Sequence, residues 1–178
     1  MTDGDYGSDP TGGELADVAR SGAREWQLEM AAWETDAEVL RLRRRTMVNV
    51  LWESMQRGDR VTLTLGEHSF TGTLAAALAD FALLTTPELD VAVNLGNLGA
   101  IHIERASGGV VGDRTFGSLR AFLGMLEVDG REVRVLGREI DVQGRVQVVA
   151  DDHLLLQTTD GESAVALAAL AAVVVNRD

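Results

Sequence analysis

The hydrophobic pattern of the chain changes near Gly58 from a helical period to a period of two. Upstream, apolar residues recur in alternating steps of four and three, which is the spacing of an amphipathic or coiled-coil helix. Arg44 stands where this spacing requires the next apolar residue, so we expect the helix to break near 43–46. We call the apolar positions of this helix the tryptophan seam: Trp26, Met30, Trp33, Ala37 and Leu40.

A second, short helix is predicted before the change of period. Thr46 is a suitable N-cap for it, and Gly58 is a suitable C-terminal cap. Its apolar face carries Val48, Leu51, Trp52 and Met55. Alternating apolar and polar residues then predict five short strands, near 61–65, 70–76, 81–86, 91–94 and 100–104.

The chain beyond the first helix is predicted to contain an internal duplication. Aligning Gly58 with Gly130, 72 residues further on, matches two segments to the end of the chain without a gap. Ser118 then takes the place of Thr46 as a helix N-cap. The matches inside the strands include Gly72 with Gly144, Asp80 with Asp152, and Leu83-Leu84 with Leu155-Leu156. A chance alignment of two Ala-rich apolar stretches is the alternative, and the absence of any gap argues against it.

A helix followed by five strands, with the pattern Gly-x-Val, Gly-x-Leu/Val and Asp-x-x-Leu-Leu, resembles the Sm-like (SH3-like) small β-barrel. The whole layout resembles an uncharacterised actinobacterial family with two such barrels behind an acidic leader and an Arg-bearing helix. The resemblance implies a mainly β fold with N-terminal helices, in which a short helix precedes each of two tandem five-stranded barrels. The predicted segments are an acidic disordered tail (1–13), a helix (14–45), the first barrel (46–106), a linker (107–116) and the second barrel (117–178).

The resemblance also implies RNA binding through polar residues in two turns, and this chain departs from that pattern. Neither the turn at 97–100 nor its counterpart at 169–172 contains Arg, Lys or His. Asn94, Asn97 and His102 remain as candidates for contact with a base in the first copy, and the second copy has nothing comparable. The departure argues against RNA chaperone activity of the usual Sm-like kind.

The amino-acid composition argues against several classes of function. Acidic residues outnumber basic ones by 28 to 16, which disfavours sequence-independent binding of a polyanion. Cysteine is absent, so disulfides, thiolate metal sites and cysteine nucleophiles are excluded. The three histidines are scattered and do not match under the 72-residue offset. We therefore expect no catalytic site, no metal site, no cofactor and no enzyme activity.

A cluster of arginines is the strongest nucleic-acid signal in the chain: Arg41, Arg43, Arg44, Arg45, Arg57 and Arg60. One interpretation is a helix that contacts phosphates. The other is that these arginines complement a helix C-terminus and pair with the protein's own acidic residues. Sequence alone leaves both open.

The three tryptophans all lie in the helical part, and we expect them to anchor the helices onto the strands or onto each other. If the seam is not covered within the chain, Trp26, Met30, Trp33 and Leu40 form a surface for a partner or for self-association, such as a homodimer. We predict a non-catalytic binding or scaffold protein that acts through protein–protein contacts. The alternative is an RNA- or DNA-associated regulator. No secretory signal or membrane-spanning run is present, so we expect a cytoplasmic protein with no membrane partner.

Overall fold

The computed structural model describes residues 26–105, except 28, 32 and 35, and residues 116–177. The chain forms two compact units, Met1–Arg45 and Thr46–Asp178. The predicted tail (1–13) and all but the last residue of the predicted linker (107–116) lie outside the described residues.

The first unit contributes one described helix, α1, whose described residues run over 26–43. A turn follows at Arg44, and the next helix begins at Met47. The predicted break near 43–46 is therefore confirmed. Within the described ranges, no helix has the length and apolar character needed to span a bilayer.

The described residues of the second unit form two helices, ten strands and two single turns of 3₁₀ helix. The first half comprises α2 (Met47–Arg57), β1 (Arg60–Leu65), β2 (His68–Ala77), β3 (Phe81–Thr85), β4 (Leu89–Asn94), a 3₁₀ turn (Leu95–Asn97) and β5 (Ala100–Glu104). The second half comprises α3 (Leu119–Asp129), β6 (Glu132–Gly137), β7 (Asp141–Val149), β8 (His153–Thr158), β9 (Gly161–Ala166), a 3₁₀ turn (Leu167–Ala169) and β10 (Leu170–Asn176).

The helix ends are formed by the residues that the sequence predicts. Thr46 and Ser118 occupy the N-cap positions, and each side chain accepts a hydrogen bond from the backbone N–H three residues on. Gly58 and Gly130 end α2 and α3 with φ of 66° and 59°. Glycine is favoured there because this left-handed conformation is strained for residues that carry a Cβ.

All ten strands hydrogen-bond into one antiparallel sheet in the order β5-β1-β2-β3-β4-β10-β6-β7-β8-β9. The expectation of two separate barrels is not confirmed, because the sheet is open and continues from β4 into β10. Within each half the order is the same: β5-β1-β2-β3-β4 in the first and β10-β6-β7-β8-β9 in the second. The strands at the two ends of the sheet are β5 and β9.

The second strand of each half carries a glycine that its neighbour approaches closely. A Cβ on Gly72 would lie 2.5 Å from the carbonyl oxygen of Thr85, and a Cβ on Gly144 would lie 2.5 Å from that of Gln157. Each strand also has a bulge beyond its glycine, at Leu74/Ala76 and at Val146/Val148. The two glycines are therefore required by close backbone packing.

Two hydrophobic clusters form the core, one on each face of β3 and β4. Leu84 and Val93 join the cluster beneath α2, whereas Phe81 and Leu83 join the cluster beneath α3. Phe81 lies with its ring centroid 6.4 Å from that of Phe116 and 6.2 Å from that of Phe122. The ring of Phe116, the last residue of the predicted linker, therefore packs against both halves of the unit.

Candidate functional site

The tryptophan seam is exposed. Trp26 and Trp33 keep 68% and 76% of their accessible surface, and Met30 and Leu40 about half. Trp52, on α2, keeps 52%. The expectation that the tryptophans are buried anchors is therefore wrong, and aromatic surface of this size at coiled-coil spacing is typical of a protein-binding face.

The arginines of α1 point into solvent, and at least one of them is paired locally. The Nε and Nη2 atoms of Arg41 donate to the two carboxylate oxygens of Glu38 at 2.9 and 2.8 Å. This hydrogen bonding lowers the pKa of Glu38. Arg43 and Arg44 are exposed and have no side-chain hydrogen bond to another residue among those described. Part of the cluster therefore pairs with the protein's own acids, as one of the two interpretations predicts.

Arg57 and Arg60 lie in the second compact unit, apart from the α1 arginines along the chain. Arg57 donates from Nε to the Oδ2 atom of Asp59 at 2.7 Å, and the Asp59 side chain is only 1% exposed. Arg57 therefore neutralises a buried carboxylate at the start of the sheet. Arg60 is exposed on β1, where it lies opposite Thr73 and Glu104.

Asn97 has a structural partner inside the chain. Its Nδ2 atom donates to the carbonyl oxygen of Leu170 at 3.0 Å, and Asn94 donates to the same oxygen at 3.0 Å. Both amides therefore hold the 3₁₀ turn after β4 against the start of β10. His102 is exposed on β5, opposite Thr62. Asn97 thus has a structural partner at the junction of the two halves, and His102 lies on a different element.

The matched aspartates have different partners from each other. The Oδ2 atom of Asp80 accepts a hydrogen bond from the backbone N–H of Leu119 at 3.0 Å. The partner of Asp80 is therefore the first residue of a helix in the other half, where a negative charge is favourable. Asp152 instead lies 2.7 Å from the Nδ1 atom of His153, and this hydrogen bond lowers the pKa of Asp152.

Other paired charges lie on the surface and do not converge on a site. Arg134 donates to both carboxylate oxygens of Asp141, at 2.7 and 2.6 Å, and this hydrogen bonding lowers the pKa of Asp141. In the described part of the chain, no group of three or more His, Asp or Glu side chains is placed to hold a metal ion.

The ends of the sheet are functional candidates that the sequence analysis missed. Among the described residues, β5 is paired only with β1, and β9 only with β8. Each strand therefore has one side with unpaired backbone N–H and C=O groups, which is the usual template for pairing with another strand. The sequence did contain a signal for these end strands. At an offset of 72 residues β5 matches β10 and β9 matches β4, and β4 and β10 pair with each other inside the chain.

No protein-family model matches the chain, and a search of curated proteins found no match either.

Proposed function

We propose that the protein is a non-catalytic binding or scaffold protein that acts through protein–protein contacts of the tryptophan seam. The observation that carries this proposal is the exposure of Trp26, Met30, Trp33 and Leu40 at coiled-coil spacing on α1. An exposed seam of this kind is stabilised when a second amphipathic helix covers it. The occupant that we favour is the same seam in a second copy of the chain, in the cytoplasm.

We also propose that the two halves of the sheet arose by duplication of one Sm-like unit. Three features support this: the same strand order, the same pairs of helix caps, and bulges at matched positions. A scaffold built from two copies presents similar surfaces twice, which suits a role in assembly.

A site-specific cross-link tests the seam. The chain has no cysteine, so a single introduced thiol is unique. We expect Ala37→Cys, on the seam, to form a disulfide-linked dimer under mild oxidation. The matched control is Val39→Cys, which is exposed but lies two helical positions away, on another face of α1.

The combined change Trp26→Ala and Trp33→Ala should abolish cross-linking of the Ala37→Cys chain. Trp52→Ala should leave it unchanged, because Trp52 is exposed on a different helix. Equal cross-linking of the Ala37→Cys and Val39→Cys chains, or none from Ala37→Cys, would contradict self-association through the seam.

The alternative function is that of an RNA- or DNA-associated regulator, and the exposed Arg43 and Arg44 at the end of α1 favour it. Copurified nucleic acid would raise the ratio of absorbance at 260 and 280 nm, and the ratio would fall as salt is added. Replacement of both arginines by Gln should remove that signal if they contact phosphate. A wild-type ratio typical of protein alone would exclude this alternative.

A further inference from the structure

A polar cavity of about 580 Å³ lies on the second compact unit, where β1, β2 and the β3–β4 turn meet the end of β10. The polar side chains that line it belong to four threonines and two arginines: Thr71, Thr73, Thr85, Thr86, Arg60 and Arg177. Two glycines and a proline complete the lining. Among the described residues that line the cavity none is acidic, although the chain has a net charge of −12. The cavity is therefore a positively charged site on an acidic protein.

Three of these side chains form a row across three strands. Arg60 on β1 lies opposite Thr73 on β2, and Thr73 lies opposite Thr85 on β3. Directly opposed residues of antiparallel strands have their side chains close together on the same face of a sheet. One guanidinium group and two threonine side chains therefore lie side by side along one wall of the cavity.

The row has hydrogen-bonding capacity that the chain itself does not use. The Arg60 side chain is exposed and forms no hydrogen bond or ion pair with a described residue, although Glu104 lies opposite it on β5. The hydroxyl oxygen of Thr85 is buried and has no partner in the described part of the chain. The Thr73 hydroxyl donates to the Thr85 carbonyl at 3.5 Å, which is long for a hydrogen bond. A ligand that accepts hydrogen bonds would satisfy these groups.

Arg177 brings a second guanidinium to the cavity from the other half of the unit. Its backbone N–H donates to the Glu88 carbonyl, and its Nη1 atom donates to the Thr86 carbonyl at 3.1 Å. Its Nε atom lies 3.7 Å from the Oδ1 atom of Asp90, so part of its charge is compensated. These contacts hold the guanidinium at the β3–β4 turn before any ligand binds, which lowers the entropy that binding costs.

The matched positions of the second half have a different character. At the offset of 72 residues Arg60 corresponds to Glu132, and Thr73 corresponds to Arg145. Glu132 lies opposite Arg145, and its Oε1 atom accepts a hydrogen bond from the Nε2 atom of Gln143 at 2.9 Å. Charges of both signs therefore stand together there, and the carboxylate has a partner within the chain. The excess of positive charge distinguishes the first half from the second.

We infer that this cavity binds the phosphate group of a small phosphate monoester, with Arg60 and Arg177 as its charged contacts. The planar guanidinium group matches phosphate oxygens with paired N–H donors, and threonine hydroxyls supply further donors. Pockets for small molecules measure about 300–1,000 Å³, so the cavity has room for a phosphate and a small organic group. Because threonines and arginines predominate in the lining, we expect that group to be polar.

The inference goes beyond the proposed function, because the cavity lies on the second compact unit and contains no residue of the tryptophan seam. It also differs from the nucleic-acid alternative, which places phosphates on Arg43 and Arg44 of α1. Failure of the Ala37→Cys cross-link would therefore leave it unaffected.

Isothermal titration calorimetry of the full chain at constant ionic strength tests the inference. The probes are glycerol phosphate as the monoester, inorganic phosphate as the bare group, and succinate as a dianion of another shape. We expect both phosphates to bind, and succinate to bind at least about tenfold more weakly than glycerol phosphate. In NMR spectra, glycerol phosphate should shift the backbone amide signals of Arg60, Thr73 and Arg177.

The variant Arg60→Gln should weaken the binding of glycerol phosphate by about tenfold or more, because a charge-assisted hydrogen bond is lost. Arg60→Lys keeps the charge and should recover part of the affinity. The matched control is Arg138→Gln, which removes an equal charge from the exposed β6–β7 turn and should leave the affinity unchanged. Thermal melting of each variant checks that the fold is retained.

The charge of the ligand provides a second test. The second pKa of a phosphate monoester is about 6, so its binding should weaken as the pH falls from about 7 to about 5. Sulfate stays doubly charged over this range, so its binding should not change.

Three results would overturn the inference. The first is that neither phosphate binds. The second is that Arg60→Gln and Arg138→Gln weaken binding equally, since the phosphate would then respond only to net charge. The third is that succinate binds as tightly as glycerol phosphate, since the site would then not recognise the phosphate group.

Discussion

Asp80 accepts a hydrogen bond from the backbone N–H of Leu119, 39 residues further along the chain. The bond places a carboxylate from the turn before β3 at the N-terminus of α3. A negative charge is favourable there because the unpaired N–H groups of the first turn carry partial positive charge. One side chain of the first half thus fixes the position of the helix that leads the second half.

We predict that Asp80→Ala lowers the free energy of unfolding by about 1–2 kcal/mol, because α3 loses a partner for its first N–H group. Urea denaturation followed by circular dichroism measures the change. Glu67→Ala, in the exposed β1–β2 turn, is the control and should stay within about 0.5 kcal/mol of the parent. Equal effects of the two changes would refute a specific role for Asp80.

Arg57 is predicted to stabilise the folded chain. Arg57→Ala removes the guanidinium that neutralises the buried Asp59, so we expect a loss of about 1–3 kcal/mol in chemical denaturation. Arg60→Ala changes an exposed residue two positions beyond Gly58 and should cost less than about 0.5 kcal/mol. If both variants are equally stable, Arg57 does not have the structural role that we assign to it.

The two asparagines at the junction are predicted to set its strength. Replacing Asn94 and Asn97 by Ala removes two hydrogen bonds to the Leu170 carbonyl and should lower the unfolding free energy by about 1–3 kcal/mol. Urea denaturation followed by circular dichroism measures the loss. An unchanged free energy of unfolding would show that the two amides do not hold the junction.

Replacing the glycine in the second strand of either half by alanine is predicted to destabilise the fold. Gly72→Ala and Gly144→Ala each place a Cβ 2.5 Å from a backbone carbonyl oxygen, so we expect losses of about 1–3 kcal/mol. Gly124→Ala in α3 is the matched control, since no atom lies within 4 Å of its added Cβ. That variant should gain stability, by up to about 1 kcal/mol, because alanine is favoured in a helix. Thermal melting compares the three.

The ion pair between Arg134 and Asp141 is predicted to make the free energy of unfolding depend on pH in the acid range. Its hydrogen bonds lower the pKa of Asp141, so the contribution of the pair is present above the unfolded-state pKa and is lost as pH falls through the folded-state pKa. We expect Arg134→Gln to raise the titration midpoint of the Asp141 carboxyl, followed by NMR. An unchanged midpoint would show that the pair does not form in solution.

The local pattern of the sequence predicts most individual elements well. The caps at Thr46, Ser118, Gly58 and Gly130 are confirmed, because a cap depends on the conformation and hydrogen bonds of a few neighbouring residues. β5 has the predicted bounds, and β3 and β4 differ from them by one or two residues at one end. The spacing of the apolar residues predicts the tryptophan seam but does not predict that it is exposed. A hydrophobic period identifies the apolar face of a helix without showing what covers that face.

The type and order of the strands, and the match between the two halves at an offset of 72 residues, follow from the amino-acid pattern alone. The amino-acid pattern does not predict that β4 pairs with β10, that Asn97 donates to the Leu170 carbonyl or that Asp80 accepts from Leu119; the folded chain shows these contacts. These contacts join residues that are 39 or more positions apart. Their partners are selected by packing of the whole sheet, which no local period encodes. For the same reason, β5 and β9 are recognised as the end strands of the sheet only once the order of all ten strands is known.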